Sequence, residues 1–201
     1  MKNLYIILFL FIAATTQSVA QLGENYLTLQ YSTALGLGST HENISKMAWR
    51  GASLEYKRFV ASDLLAVGFD FNWNVLYEKK SHDTYTAGTA SLSGTQYKSL
   101  NVLPFMATFD YFFADNDHVL QPFIGLGVGA VHTIENIDMG LYRYNNKEWH
   151  FGIKPQAGIW YYLNETTKLS LSSEFVYAFK TSDTAKRELL TFNIGFAFIP
   201  Y

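Results

Sequence analysis

The sequence contains no cysteine. Its absence excludes a disulfide framework and a lipid anchor on an N-terminal cysteine. Charge is scarce: Asp, Glu, Lys and Arg make up 16% of the 201 residues, where about 25% is usual. The formal net charge is −2, and no run of Lys or Arg supplies the basic footprint that nucleic acid requires. Proline is rare, and no apolar run after Gln21 is long enough for a spanning helix. Aromatic residues, by contrast, reach 17%. Few charges and many rings would make a soluble surface aggregate, but they suit a surface that faces lipid.

The first residues read as a separate message. Lys2 supplies a positive start, residues 4–14 an apolar run, and Ser18-Val19-Ala20 the small residues of a cleavage site. The run is too short to span a bilayer. The expectation is a signal peptide over 1–20, cleaved before Gln21, and a single domain over 21–201 that leaves the cytoplasm.

That domain alternates. Leu27, Leu29, Tyr31, Thr33, Leu35 and Leu37 trade places with Thr28, Gln30, Ser32, Ala34 and Gly36. Successive side chains of a strand point to opposite faces, so one face is bulky and apolar and the other small and polar. A tilted strand needs about 9–11 residues to cross a bilayer, longer than most soluble strands. The same alternation predicts strands over 26–38, 49–59, 65–77, 101–113, 119–131, 149–163, 168–179 and 190–201. Long connections are expected over 39–48, 78–100 and 133–148, short ones over 60–64, 114–118 and 164–167, and a middling one over 180–188. Outer-membrane barrels sort their loops in this way, short on the periplasmic side and long outside. The fold class expected is all-β: an eight-stranded antiparallel up-and-down transmembrane β-barrel with both termini periplasmic.

Bulk decides which face points outward. An eight-stranded interior only just holds side chains, so Gly125, Gly127 and Gly129 suit the lumen and the rings suit lipid. Tyr31, Trp73, Tyr77, Trp149, Tyr161, Tyr162 and Tyr201 then fall where interfacial girdles form. By the same parity Glu55, Lys57, Asp70, Asp110, Lys154, Lys168 and Glu174 face inward. They are expected to form a structural polar network, because a buried charge that loses its partner costs about 3–5 kcal/mol. Lys154 and Glu174 should pair, with Glu55, Lys57, Asp70 and Asp110 clustered lower. An ion or substrate path is the other reading of these residues. Pro155, inside the sixth strand, removes a ladder hydrogen bond and predicts a bulge.

Three stretches carry a resemblance: 121–129, 51–56 and the aromatic C-terminal strand 192–201. In them the chain resembles the small eight-stranded outer-membrane barrels of Gram-negative bacteria, of the OmpA/OmpX-type and OmpW-like kind, in the style common in Bacteroidetes. The resemblance implies a cell outer-membrane location, contact with outer-membrane lipid, and insertion by the barrel-assembly machinery. That machinery reads an aromatic end, here Phe196, Phe198 and Tyr201; the family normally ends in Phe, whereas this chain ends in Pro200-Tyr201. The implied function is non-enzymatic: a closed structural or surface-interaction barrel whose long outer loops meet any extracellular ligand or partner. The alternative is a porin-like, OmpW-like passage for small hydrophobic compounds.

Other chemistry finds little support. The glycines at 125, 127 and 129 lack the spacing and the following helix of a dinucleotide site. His41, His82, His118, His132 and His150 show no paired metal-ligand spacing and read as solvated loop residues. Lipid-modifying barrels of the deacylase type carry His-x-Ser, which is absent here, and Ser81-His82-Asp83 are too close in sequence to converge as a triad. Asn43-Ile44-Ser45 and Asn164-Glu165-Thr166 match a glycosylation sequon and carry little meaning in a bacterial chain. No catalytic residue, cofactor or metal is expected.

Overall fold

The computed structural model describes residues 24–60, 64–87, 90–115, 118–139, 142–181 and 184–200. The expected signal peptide and Tyr201 lie outside them. Strands β1 (Asn25–Leu37), β2 (Arg50–Phe59), β3 (Leu65–Ala87), β4 (Ala90–Phe112), β5 (Leu120–Met139), β6 (Tyr142–Asn164), β7 (Thr167–Ala178) and β8 (Arg187–Phe198) follow one another around a closed barrel. Each is antiparallel to the next, and β8 returns to β1 with Phe198 opposite Leu27. Closure leaves no open edge in the wall, which is what lipid demands, since unpaired backbone groups there cost several kcal/mol each. The fold class is the one expected.

The strands alternate as the sequence does. On β8 the side chains of Phe192, Ile194 and Phe196 are exposed on the outside, while Thr191, Asn193 and Ala197 are buried. Tyr31, Trp73, Tyr77, Trp149 and Tyr161 are all exposed large side chains on the outer wall; Tyr162 is half-buried.

Two expected loops are corrected. Residues 78–100 and 133–148 are mostly ladder: Glu78 lies opposite Lys98, and Asn136 opposite Asn145. Strands β3, β4 and β6 each run 23 residues and β5 runs 20, so a 23-residue strand reaches roughly 75 Å. About half of that length stands outside the hydrocarbon. Bulky residues alternate less regularly there, although Ile137 and Met139 remain buried, and β-formers such as Thr84, Tyr85 and Thr86 favour an extended backbone. The two hairpins join through Tyr97 opposite Asp138, so β3 to β6 continue upward as one four-stranded sheet.

Pro155 makes no bulge. It sits opposite Leu126 in an unbroken β5–β6 register. Toward β7 the ladder omits Lys154 and Pro155 and resumes in the same register at Gln156. The missing N–H therefore falls at a gap in the β7 ladder, and parity survives it. The irregularities lie instead between Lys80 and Asp83 and between Tyr162 and Asn164.

Between β1 and β2 the chain turns back into the barrel mouth. Gly38 takes φ 49° to start a short helix, α1 (Gly38–Asn43), a backbone that glycine adopts without strain. Ala48 then bridges to Ala34 of β1, exchanging backbone hydrogen bonds of 2.7 and 2.9 Å.

Candidate functional site

The lumen is the site that sequence singled out, and it is filled in layers. At the end with the short turns, Tyr26, Phe59, Phe112, Phe123 and Trp160 form an aromatic floor. Ring centroids are 5.0 Å apart for Tyr26–Trp160, Phe59–Phe112, Phe112–Trp160 and Phe112–Phe123. Such offset pairs add about 0.5–1.5 kcal/mol each beyond burial. These rings occupy the face expected to be small and polar, and two lysines, Lys57 and Lys168, lie against them.

Six of the seven charged residues stand above the floor. Lys57 Nζ lies 3.1 Å from Glu55 and 3.0 Å from Asp110, and 4.0 Å from the centre of the Phe123 ring. Lys154 Nζ lies 2.6 Å from Asp70 and 3.2 Å from Glu174. Asp70 therefore belongs with Lys154 and Glu174 rather than with the lower cluster. Gln156 links the groups: its amide donates to Asp110 at 2.5 Å and to Glu55 at 3.5 Å. Ser53 donates to Asp70 at 3.0 Å, and Thr191 to Glu174 at 3.3 Å. Lys168 stands apart, donating to Gln121 at 2.8 Å beside the rings of Tyr26 and Trp160. All seven charged residues singled out by parity are buried.

An apolar cap closes the other side of this layer. Leu76, Leu100, Val102, Met106, Val131, Val176 and Leu189 point inward from the strands, and Ile44 and Ala48 press down on them from the segment after α1. That segment is latched at the rim. The Ser45 backbone N–H donates to Glu78 at 2.6 Å, Asn43 donates to Glu135, and Arg187 pairs with Glu135 at 2.6 Å. Parity read to the strand ends finds the inward apolar residues; nothing in composition marks Ile44, which lies on a connection.

The lumen glycines fit this packing. A Cβ on Gly125 would collide with the Asp110 carboxylate, and one on Gly129 with the Phe105 carbonyl. Space for an ion-pair carboxylate accounts for Gly125, and close approach of the β4 backbone accounts for Gly129.

The histidines are partly corrected. His132 and His150 lie within β5 and β6, not in loops. His150 is buried, 3.1 Å from Thr133 and 2.9 Å from the Phe179 carbonyl, and His132 stacks on Trp149. The side chains of His82 and Asp83 lie outside the described residues. Among the described residues no group of acids and histidines could hold a metal ion. The second sequon is turn chemistry: Asn164 Oδ1 accepts from the Thr166 N–H at 3.0 Å. Phe196 is exposed on the outer wall and Phe198 half-buried. Above the rim, Arg143 donates to Asp138 at 2.5 Å, and this hydrogen bond raises the guanidinium above its ordinary pKa.

No protein-family model matches the chain, and no curated protein matches its sequence. Solved structures do match in fold. Neisserial surface protein A superposes with a TM-score of 0.60 at 14% identity, over 88% of this chain and 97% of that one. Ail, the attachment invasion locus protein of Yersinia pestis, gives 0.54 at 12% identity, over 89% and 100%. Outer membrane protein W of E. coli gives 0.51 at 14% identity, over 90% and 100%. The chain has the fold of the small eight-stranded outer-membrane barrels.

Proposed function

We propose that this protein is a non-enzymatic barrel of a bacterial outer membrane, closed to bulk flow and acting through its exposed hairpins. It would reach that membrane by a cleaved signal peptide over 1–20 and enter it through the barrel-assembly machinery. The observation that carries the reading is the filled lumen: aromatic floor, ion-pair layer and apolar cap in succession. A water path through such a stack would have to part paired charges from one another and rings from rings. The tall sheet supports contact outside the cell. Pairing of β2 with β3 ends at Val75, so among the described residues no strand covers that edge of β3 above it. An open edge in water invites another strand.

The test is conductance in planar bilayers. A silent membrane with folded protein present supports the closed reading, and steady conductance overturns it. The second reading, passage for small hydrophobic compounds, draws on one observation. The cap is apolar and includes Ile44, which belongs to a connection rather than to a strand. Uptake of such a compound by vesicles that stay electrically silent would favour it.

A further inference from the structure

Above the girdle the four-stranded sheet turns one face outward, and register fixes what that face shows. Tyr77, Ser99, Asn136 and Asn145 lie opposite one another in a single row across β3, β4, β5 and β6. Side chains stitch the row together: Asn145 donates to Asn136 Oδ1 at 2.5 Å, and Asn136 donates to Ser99 Oγ at 3.5 Å. An asparagine amide carries two N–H donors, and the stitching uses one of each. One row up stand Lys79, Tyr97, Asp138 and Arg143, and one row down stands Lys147.

The face is exposed and positive. Tyr77 and Tyr97 present their rings to solvent, and Lys79, Arg143, Asn145 and Lys147 are exposed as well. Lys79 Nζ reaches over the Tyr97 ring, 5.5 Å from its centre. Asp138 is the one acid among these residues, and Arg143 takes it at 2.5 Å. Lys79, Arg143 and Lys147 therefore outweigh a single carboxylate, on a chain whose formal net charge is −2.

Position and composition limit the occupant. Girdle residues such as Trp73 sit at the level of the lipid headgroups. Tyr77 lies four residues beyond Trp73 on the same strand, about 13 Å further along it, so the rows stand in water. A protein partner calls for an apolar centre, and the centre here is two asparagines and a serine. Amides beside an aromatic ring suit a sugar chain. Its hydroxyls exchange hydrogen bonds with the amides, and its C–H groups rest on the negative face of the ring. The surplus of cations asks that the sugar be acidic. We propose that this face binds an acidic polysaccharide outside the cell. A sugar ring lies on Tyr77, hydroxyls on Asn136 and Asn145, and acid groups on Lys79 and Lys147. The proposal rests on the reading above that the hairpins work outside the cell, and it gives them a partner by its chemistry.

Binding of the full chain, folded in phosphatidylcholine vesicles that hold no sugar lipid, tests it against three soluble polymers. Polygalacturonate should bind. Its methyl ester (the sugar without the charge) and polyglutamate (the charge without the sugar) should each bind about tenfold more weakly, the weight of two exposed ion pairs or two net hydrogen bonds. Asn136→Ala and Asn145→Ala should each weaken polygalacturonate binding about fivefold. Lys79→Gln combined with Lys147→Gln should flatten its dependence on salt. Equal binding of polyglutamate overturns the sugar, and equal binding of the methyl ester overturns the charge. Asparagine variants that bind like wild type overturn the site, and so does a lysine double variant with an unchanged salt dependence. Orientation has its own readout. The chain has no cysteine, so Asn145→Cys on intact cells should take up a membrane-impermeant maleimide. No labelling would sink the outside-the-cell reading, independently of any polymer that the purified protein binds.

Discussion

Replacing Lys154 with Met should be among the most damaging single changes to the lumen. The ammonium lies 2.6 Å from Asp70 and 3.2 Å from Glu174, and all three groups are buried. Its loss strands two carboxylates, and breaking a buried pair from one side costs about 3–5 kcal/mol. Glu174→Gln should cost less, about 1.5–3 kcal/mol, because Lys154 keeps Asp70 and the new amide can still accept a hydrogen bond. The combination of Lys154→Met and Glu174→Gln leaves Asp70 charged, with the Ser53 hydroxyl but no ion-pair partner, so rescue should be partial. Adding Asp70→Asn removes the last stranded charge and should recover most of the loss. Urea unfolding in lipid vesicles measures all four variants. A triple variant no more stable than the double would refute the three-membered grouping. A Lys154→Met variant no weaker than Glu174→Gln would refute the reasoning about stranded charge itself.

Three further outcomes are expected. Trp160→Ala opens the aromatic floor and should cost about 3–5 kcal/mol in the same titration, and a loss under about 1 kcal/mol would deny the floor a packing role. Gly125→Val drives methyl groups at the Asp110 carboxylate and should cost at least the roughly 1–3 kcal/mol of overpacking; Gly94→Ala, which meets open space, should stay within about 0.5 kcal/mol. Ending the chain before Phe198 removes the partner of Leu27 and Thr167 and should abolish assembly, so normal levels in the outer-membrane fraction would contradict the closure argument.

Much of the barrel was legible because lipid enforces a rule on every second residue. Phe192, Ile194 and Phe196 must face out for the same reason that Asp110 and Lys154 must face in, and period two carries both. The rule lapses where lipid ends. Strands β3 to β6 run on past the membrane with only scattered bulky residues, such as Ile137 and Met139, to mark a face, so 78–100 and 133–148 read as loops. Partner choice inside the lumen was only half legible. Parity names the seven charges, but which of them meet depends on strand tilt and stagger, and that moved Asp70 from the lower cluster to Lys154. Ile44 had no periodic signal at all. It lies on a connection, and only the fold shows that the connection turns inward.

The ion-pair layer also bears on how the barrel can be made. Asp70 and Lys154 are 84 residues apart, and Gln30 and Ser170, hydrogen-bonded across the lumen, are 140 apart. Such groups meet only when the sheet curls shut, and pairings of that sequence separation form late. A half-built sheet lying in the bilayer would turn Lys57, Lys154 and Lys168 toward hydrocarbon, where a single charge costs several kcal/mol. Insertion ahead of curling is therefore uphill at β2, β6 and β7, the strands that carry these lysines. Curling during entry, so that the inner face closes on itself as β8 reaches β1, avoids that cost.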